Sequence, residues 1–293
     1  DQGKDTTITI RINPTPKLAV DIPETVFCDS SEVVFDVRDL LVGSEGMRVY
    51  SLIRDYNSDS LEIVNENPGL DPDQSYTGLL SDEVRNLTTN LQTVTYTFRP
   101  LIKDPRGDDP LFYCDQGKDT SITVYIHPTP DIQVSVEDDT VCNEDIIYLN
   151  VTNPNVSLIG NWKYKLEVDY GEQIRGVLSE LNLYNDTDLT IRDTLENTDS
   201  IWHVVTYTFT PWIESTWGGD SCINGQDTTI TIYVNPTPAI RVFTEDSVIC
   251  NGESTAIEVY NPNEFVFGEW EYDLVIDADP EISGVSDTTI AGI

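Results

Sequence analysis

Apolar and polar residues alternate in short runs along this chain, and turn-forming residues separate the runs. NWKYKLEVD (161–169) places Trp162, Tyr164, Leu166 and Val168 on one face, the two-residue period of a half-buried strand. The same reading gives strands at DIQVSV (131–136), IIYLNVT (146–152), HVVTYTF (203–209) and DTTITIYV (227–234), with shorter ones around LTIRDTL (189–195). Asn143-Glu144-Asp145 and Asn153-Pro154-Asn155 turn the chain between them. No segment carries a 3.6-residue apolar period, so little helix is expected. About seven short strands with turns between them is the pattern of an all-β, immunoglobulin-like antiparallel β-sandwich.

The pattern recurs. DQGKDTTITIRINPTP (1–16) returns as DQGKDTSITVYIHPTP (115–130) and again as NGQDTTITIYVNPTP (224–238). Cys28, Cys142 and Cys250 are spaced by 114 and 108 residues, and Cys114 and Cys222, like Trp162 and Trp270, by 108. This register divides the chain into the last strand of a preceding repeat (1–12), two complete sandwich repeats (13–126 and 127–234) and the first half of another (235–293). Such a window is expected to come from a longer protein. The connectors carry paired prolines: Pro14 and Pro16, Pro128 and Pro130, Pro236 and Pro238. Two prolines around one residue hold an extended path without glycine's freedom, so the sandwiches are expected to stack end to end as a stiff rod.

Charge narrows the partners. With 52 acidic against 16 basic residues, the net charge is −36. That excludes nucleic acid, whose affinity comes from neutralising phosphates, and docking on anionic lipid. No direct membrane insertion is expected within this window. The partners expected are neighbouring repeats of the same chain. A homo-oligomeric fibre is a further arrangement, one needing cations or apolar seams to offset repulsion between chains.

The five cysteines at fixed repeat positions suggest disulfides, hence an oxidising, extracellular setting at the cell surface or in the medium. Cys28, Cys142 and Cys250 fall at the turn between the first two strands (A and B). Cys114 and Cys222 fall in the loop between the last two (F and G). The first expectation is pairing within a repeat, Cys28–Cys114 and Cys142–Cys222. Its difficulty is that these two turns lie at opposite ends of a seven-stranded sandwich, whereas a disulfide needs Cα atoms within about 7 Å. The alternative is a staple between successive repeats, Cys28–Cys222.

Catalytic chemistry finds no support. His127 occupies the connector position that Asn13 and Asn235 hold in the other copies, and His203 follows Trp202 in a strand. Neither a nucleophile elbow, a phosphate-cradling glycine loop nor a zinc spacing is present. Calcium is the one cofactor left open, because carboxylates gather in turns. The candidates are Glu137, Asp138 and Asp139, the matching Glu245 and Asp246, and Asp104, Asp108 and Asp109. A solvated acidic turn is the competing reading. Trp212 and Trp217, in an expected F–G loop, suit either stacking on sugar rings or packing at a domain junction. Asn86, Asn150, Asn155 and Asn185 each open a sequon.

The ordered motifs VTYTFTP, a loop cysteine, DTTITIYVNPTP and VICNGESTAIEVYNPN (248–263) together resemble the PKD-like and immunoglobulin-like repeats of giant Bacteroidota surface proteins. The resemblance spans the whole window. It implies cell-surface or secreted adhesins and filaments exported by type IX secretion. The WDFGDG signature of the standard PKD domain is replaced by NWKYKLEVDYG and EWEYDLVIDAD, so that domain's ligand roles are not carried over. The expected function is a structural repeat region that gives an adhesin or filament a stiff rod for surface attachment, gliding or prey contact. A polysaccharide-binding module and the stalk of a secreted hydrolase are the alternatives.

Overall fold

A computed structural model describes residues 3–64, 78–103, 113–178, 182–184, 188–216 and 218–283. Its residues pack as two units. One comprises Asp1–Asp131, Pro154–Lys163 and Trp212–Gln226, the other Ile132–Asn153, Tyr164–Pro211 and Asp227–Ile293. The protein is all-β; among the described residues there is no helix, and so none long and apolar enough to cross a membrane.

The first unit holds β1 (Leu18–Asp21), β2 (Val26–Phe27), β3 (Ser31–Asp39), β4 (Met47–Asp55), β5 (Leu61–Ile63), β6 (Gly78–Asn86), β7 (Gln92–Lys103), β8 (Tyr113–Cys114) and β9 (Thr120–Ile126). One sheet runs β1-β3-β6-β5 and the facing one β2-β9-β7-β4, with β8 beside β7. The alternation explains the core. Val33, Phe35 and Val37 of β3 face Val94, Tyr96 and Phe98 of β7 and Val124 and Ile126 of β9, all buried. The Phe35 ring lies 4.6 Å from Tyr96 and 5.4 Å from Phe98, centroid to centroid. Burying one such ring contributes about 1.5–3 kcal/mol, so this cluster dominates the stability of the sandwich.

The second unit is built the same way from β10 (Gln133–Val136), β11 (Thr140–Val141), β12 (Ile146–Thr152), β13 (Asn161–Asp169), β14 (Ile174–Arg175), β15 (Asn182–Tyr184), β16 (Asp188–Thr194), β17 (Glu196–Asn197), β18 (His203–Glu214) and β19 (Thr228–Val234). Asn161–Lys163 of β13 and Trp212–Glu214 of β18 pack with the first unit. The sheets run β10-β12-β16 and β11-β19-β18-β13-β15, with β14 and β17 as a separate pair. Tyr164, Leu166, Val205, Tyr207, Phe209 and Ile232 have no exposed surface. Beyond them β20 (Arg241–Thr244) pairs antiparallel with β21 (Ile257–Tyr260).

Two features depart from the sequence reading. The first strand of each sandwich is split. β1 and β10 pair antiparallel with β3 and β12, whereas β2 and β11 cross to the other sheet and pair parallel with β9 and β19. A two-residue strand carries no alternation to read, so this switch left no trace in the pattern. In addition, β18 runs to Glu214, five residues past the expected end, because alternation continues through Pro211, Trp212 and Ile213.

Candidate functional site

Among the described residues, the repeated motifs converge on the connectors. In the first unit the Thr129 hydroxyl of His127-Pro128-Thr129-Pro130 donates to Asp29 Oδ2 at 2.6 Å. The other Asp29 oxygen accepts the Asn86 backbone N–H at 2.7 Å. Asn86 in turn donates through Nδ2 to the carbonyls of Ile126 (2.9 Å) and Asn90 (2.7 Å). From the other side, Asn155 Oδ1 accepts the Asp131 N–H at 2.8 Å while its Nδ2 donates to the Thr129 carbonyl at 3.1 Å. Trp162 Nε1 donates to the Asp131 carbonyl at 2.9 Å. Proline has no N–H, so connector carbonyls and flanking amides must find side-chain partners once buried; these residue types supply them.

The second unit repeats the cage. Asn143 Nδ2 donates to the Thr237 hydroxyl at 2.7 Å, and Asn143 Oδ1 accepts the Asn197 N–H at 2.6 Å. Asn197 donates to the carbonyls of Val234 (2.9 Å) and Ile201 (2.8 Å). Asn263 accepts the Ala239 N–H at 2.9 Å and donates to the Thr237 carbonyl at 3.3 Å. Trp270 Nε1 reaches the Ala239 carbonyl at 3.1 Å. The threonine hydroxyl either donates or accepts, which lets Asp29 in one copy do the work of Asn143 in the other.

The residue opening each connector grips the loop that follows β3, β12 or β21. Asn13 and Glu45 exchange two bonds, Nδ2 to the Glu45 carbonyl at 2.8 Å and the Glu45 N–H to Oδ1 at 2.9 Å. Asn235 and Phe267 exchange the same pair at 3.0 and 2.8 Å. His127, in this position, is fully buried beside the backbone of Ile159, the loop residue matching Glu45 and Phe267. Burial pushes its pKa below the ordinary histidine value, and the Ile159 backbone only partly opposes this.

One disulfide is present, Cys28–Cys222, with Cα atoms 5.3 Å apart. The expected Cys28–Cys114 and Cys142–Cys222 pairs are therefore corrected: Cys114, Cys142 and Cys250 are free thiols. The reason is topological. Cys28 directly follows β2, whose Phe27 aligns with Ile126 at the end of β9. Cys114 aligns with Ile102, beyond the point where Phe98 meets Thr120 at the start of β9. The seven residues of β9 separate the two cysteines, roughly 20 Å or more, far beyond disulfide reach. Cys222 instead exchanges two backbone bonds of 2.9 Å with Ile213. Nearby, Asn224 Nδ2 donates to the Asp29 carbonyl at 3.4 Å.

The remaining candidates are dispersed. Glu137, Asp138, Asp139, Glu245 and Asp246 are exposed, and among the described residues no group of three or more His, Cys, Asp or Glu is placed to hold a metal ion. Asp104, Asp108, Asp109 and Trp217 lie outside the described residues. Trp212 is half-buried on β18 rather than in a loop. Two of the sequon asparagines, Asn86 and Asn155, are buried and their amides are engaged in the connector cages.

No protein-family model matches the chain, and no curated protein matches it. Among solved structures it is similar to the Escherichia coli adhesin FdeC, at 10% identity and TM-score 0.37, covering 78% of this chain and 66% of that one. It is similar to the D0-D1 domain of intimin at 7% identity and TM-score 0.24, covering 74% and 97%. It is also similar to E. coli α2-macroglobulin at 9% identity and TM-score 0.31, covering 78% of this chain but 17% of that one. At such values the fold assignment rests on the chain's own sheets: tandem antiparallel β-sandwiches of immunoglobulin-like build.

Proposed function

We propose that this chain is a structural repeat region of a large extracellular adhesin or filament, serving as a stiff connector that holds an attachment surface away from the cell. The observation that carries this reading is the use to which the repeated side chains are put. Asn155 and Asn263 bond the Thr129 and Thr237 carbonyls of the connectors, Trp162 and Trp270 bond the carbonyl that follows each connector, and the Thr129 and Thr237 hydroxyls bond the side chains of Asp29 and Asn143. A binding module would direct its repeated polar and aromatic residues into a cleft; here they fix the path between strands. Export by type IX secretion to a Bacteroidota cell surface, and roles in gliding or prey contact, follow from the motif resemblance and belong to the same proposal. The sugar-binding alternative draws nothing from Trp212, which β18 holds half-buried.

Small-angle X-ray scattering from the whole chain tests the reading. A stiff connector gives a rod-like cross-sectional regime that persists when Asn155 is intact and is lost in Asn155→Ala. A flexible-chain profile for the unaltered protein, or saturable binding on a glycan array, overturns it.

A further inference from the structure

Tension applied to the ends of a folded chain follows the shortest covalent route. Backbone offers one route here, and the Cys28–Cys222 bond offers another that bypasses a sequence separation of 194 residues. Every strand from β3 to β18 lies inside the loop so closed, whereas β1, β2 and β19–β21 lie outside it.

We propose that this disulfide is a tension shunt. Load entering along residues 1–28 crosses the two sulfurs and continues from Cys222, so that β3 to β18 and the Pro128–Pro130 connector are never extended.

Three observations carry the proposal. The first is the choice of partner. A Cys28–Cys114 bond would have left His127-Pro128-Thr129-Pro130 in the load path, whereas the bond to Cys222 places that connector inside the loop. The hydrogen bonds of the cage are individually weak against sustained pulling, so covalent bypass matters most there. The second is the anchorage of both sulfurs. Cys28 follows β2, where Phe27 and the preceding Thr25 accept the N–H groups of His127 and Tyr125 at 2.8 Å each. Cys222 is bonded to Ile213 through both its N–H and its carbonyl. The third is protection. Cys222 is 1% exposed, which restricts the access of a soluble thiolate to that sulfur. The inference rests on the connector reading only for the source of the tension; the covalent route stands whatever the ends are attached to.

Single-molecule force spectroscopy on the whole chain, tethered at its two ends, tests it. The untreated chain is expected to release a contour length short by roughly 650 Å, taking about 3.4 Å per residue over the 194-residue separation. Dithiothreitol, which delivers two electrons and two protons to the bond and is itself oxidised to the cyclic disulfide, restores the missing length. The Cys28→Ser/Cys222→Ser double variant releases the full length untreated, and Cys114→Ser leaves the untreated trace unchanged. Full release from the untreated protein overturns the proposal, as does a deficit that survives in the double variant or one that Cys114→Ser alters. A flexible scattering profile together with the expected deficit would reject the rod and keep the shunt.

Discussion

Position 127 holds histidine where the other connectors hold asparagine, and the substitution has a consequence for pH. Burial lowers the folded-state pKa of His127 below the unfolded value of about 6.5. The folded protein therefore binds fewer protons there than the unfolded one. The stability contributed by neutral His127 is complete above the unfolded pKa and declines as pH falls through and below it. His127→Asn, which installs the residue of the other connectors, is expected to remove that component. Thermal melts at pH 7.5 and pH 5 should show a smaller acid-induced drop in the variant than in the parent. Asn155 permits a sharper test, because its two ends do different work: Oδ1 accepts from Asp131 and Nδ2 donates to Thr129. Asn155→Asp keeps the acceptor but turns a second oxygen toward a carbonyl. Urea unfolding should place its cost at about 1–3 kcal/mol, the range for a buried polar atom left without a donor. The motif at 153–155 reads in the sequence as a break after a strand, and the same Asn-Pro-Asn recurs at 261–263. Which backbone these asparagines bond is not legible there, since that depends on chain crossings the pattern does not encode.

Strands show the same division between what alternation reveals and what it omits. β12, β13 and β19 match their expected spans to within a residue, because each buries every second side chain. The β1/β2 and β10/β11 switches leave no mark in the alternation because two-residue strands have no period. One polar device inside the sandwiches is also unreadable from alternation. Asp82 on β6 is fully buried and bound by Arg54 of β4, Nε to Oδ2 at 2.6 Å and Nη2 to Oδ1 at 2.9 Å. Its counterpart, Asp193 on β16, has Val168 where Arg54 would stand and is held by hydroxyls instead. Tyr170 and Tyr207 donate to it at 2.8 and 2.7 Å, and the Val177 N–H at 2.8 Å. Burial and the neighbouring carboxylate hold the Tyr207 hydroxyl protonated far above the ordinary tyrosine range, so it remains a donor at any working pH. The two solutions should fail differently. Arg54→Leu strands a buried carboxylate and is expected to cost about 3–5 kcal/mol in urea unfolding, with Asp82→Asn added on top recovering part of it. Tyr207→Phe removes one of three donors and should cost about 1–3 kcal/mol.

At the scale of the whole molecule, charge and crosslinking set the behaviour. Only 16 cations oppose 52 carboxylates, and the ion pairs among the described residues are mostly at the surface, such as Arg99–Asp119 at 2.9 Å. Exposed pairs of this kind contribute little, and repulsion among the unpaired carboxylates acts against the folded state. Added salt should therefore raise the melting temperature by screening, an effect that depends on ionic strength alone. Calcium binding at the acidic turns would behave otherwise, adding stabilisation that grows with calcium concentration and exceeds that of a chemically similar ion. Because Glu137, Asp138 and Asp139 and the matching Glu245 and Asp246 point into solvent without converging, screening is the expected outcome. Melting curves in calcium, magnesium and sodium chlorides at matched ionic strength should then superimpose. A calcium curve displaced upward from the magnesium curve, and returned to it by a chelator, would locate a site among the carboxylates. Loss of the displacement in Asp138→Asn and Asp139→Asn would assign it to that turn.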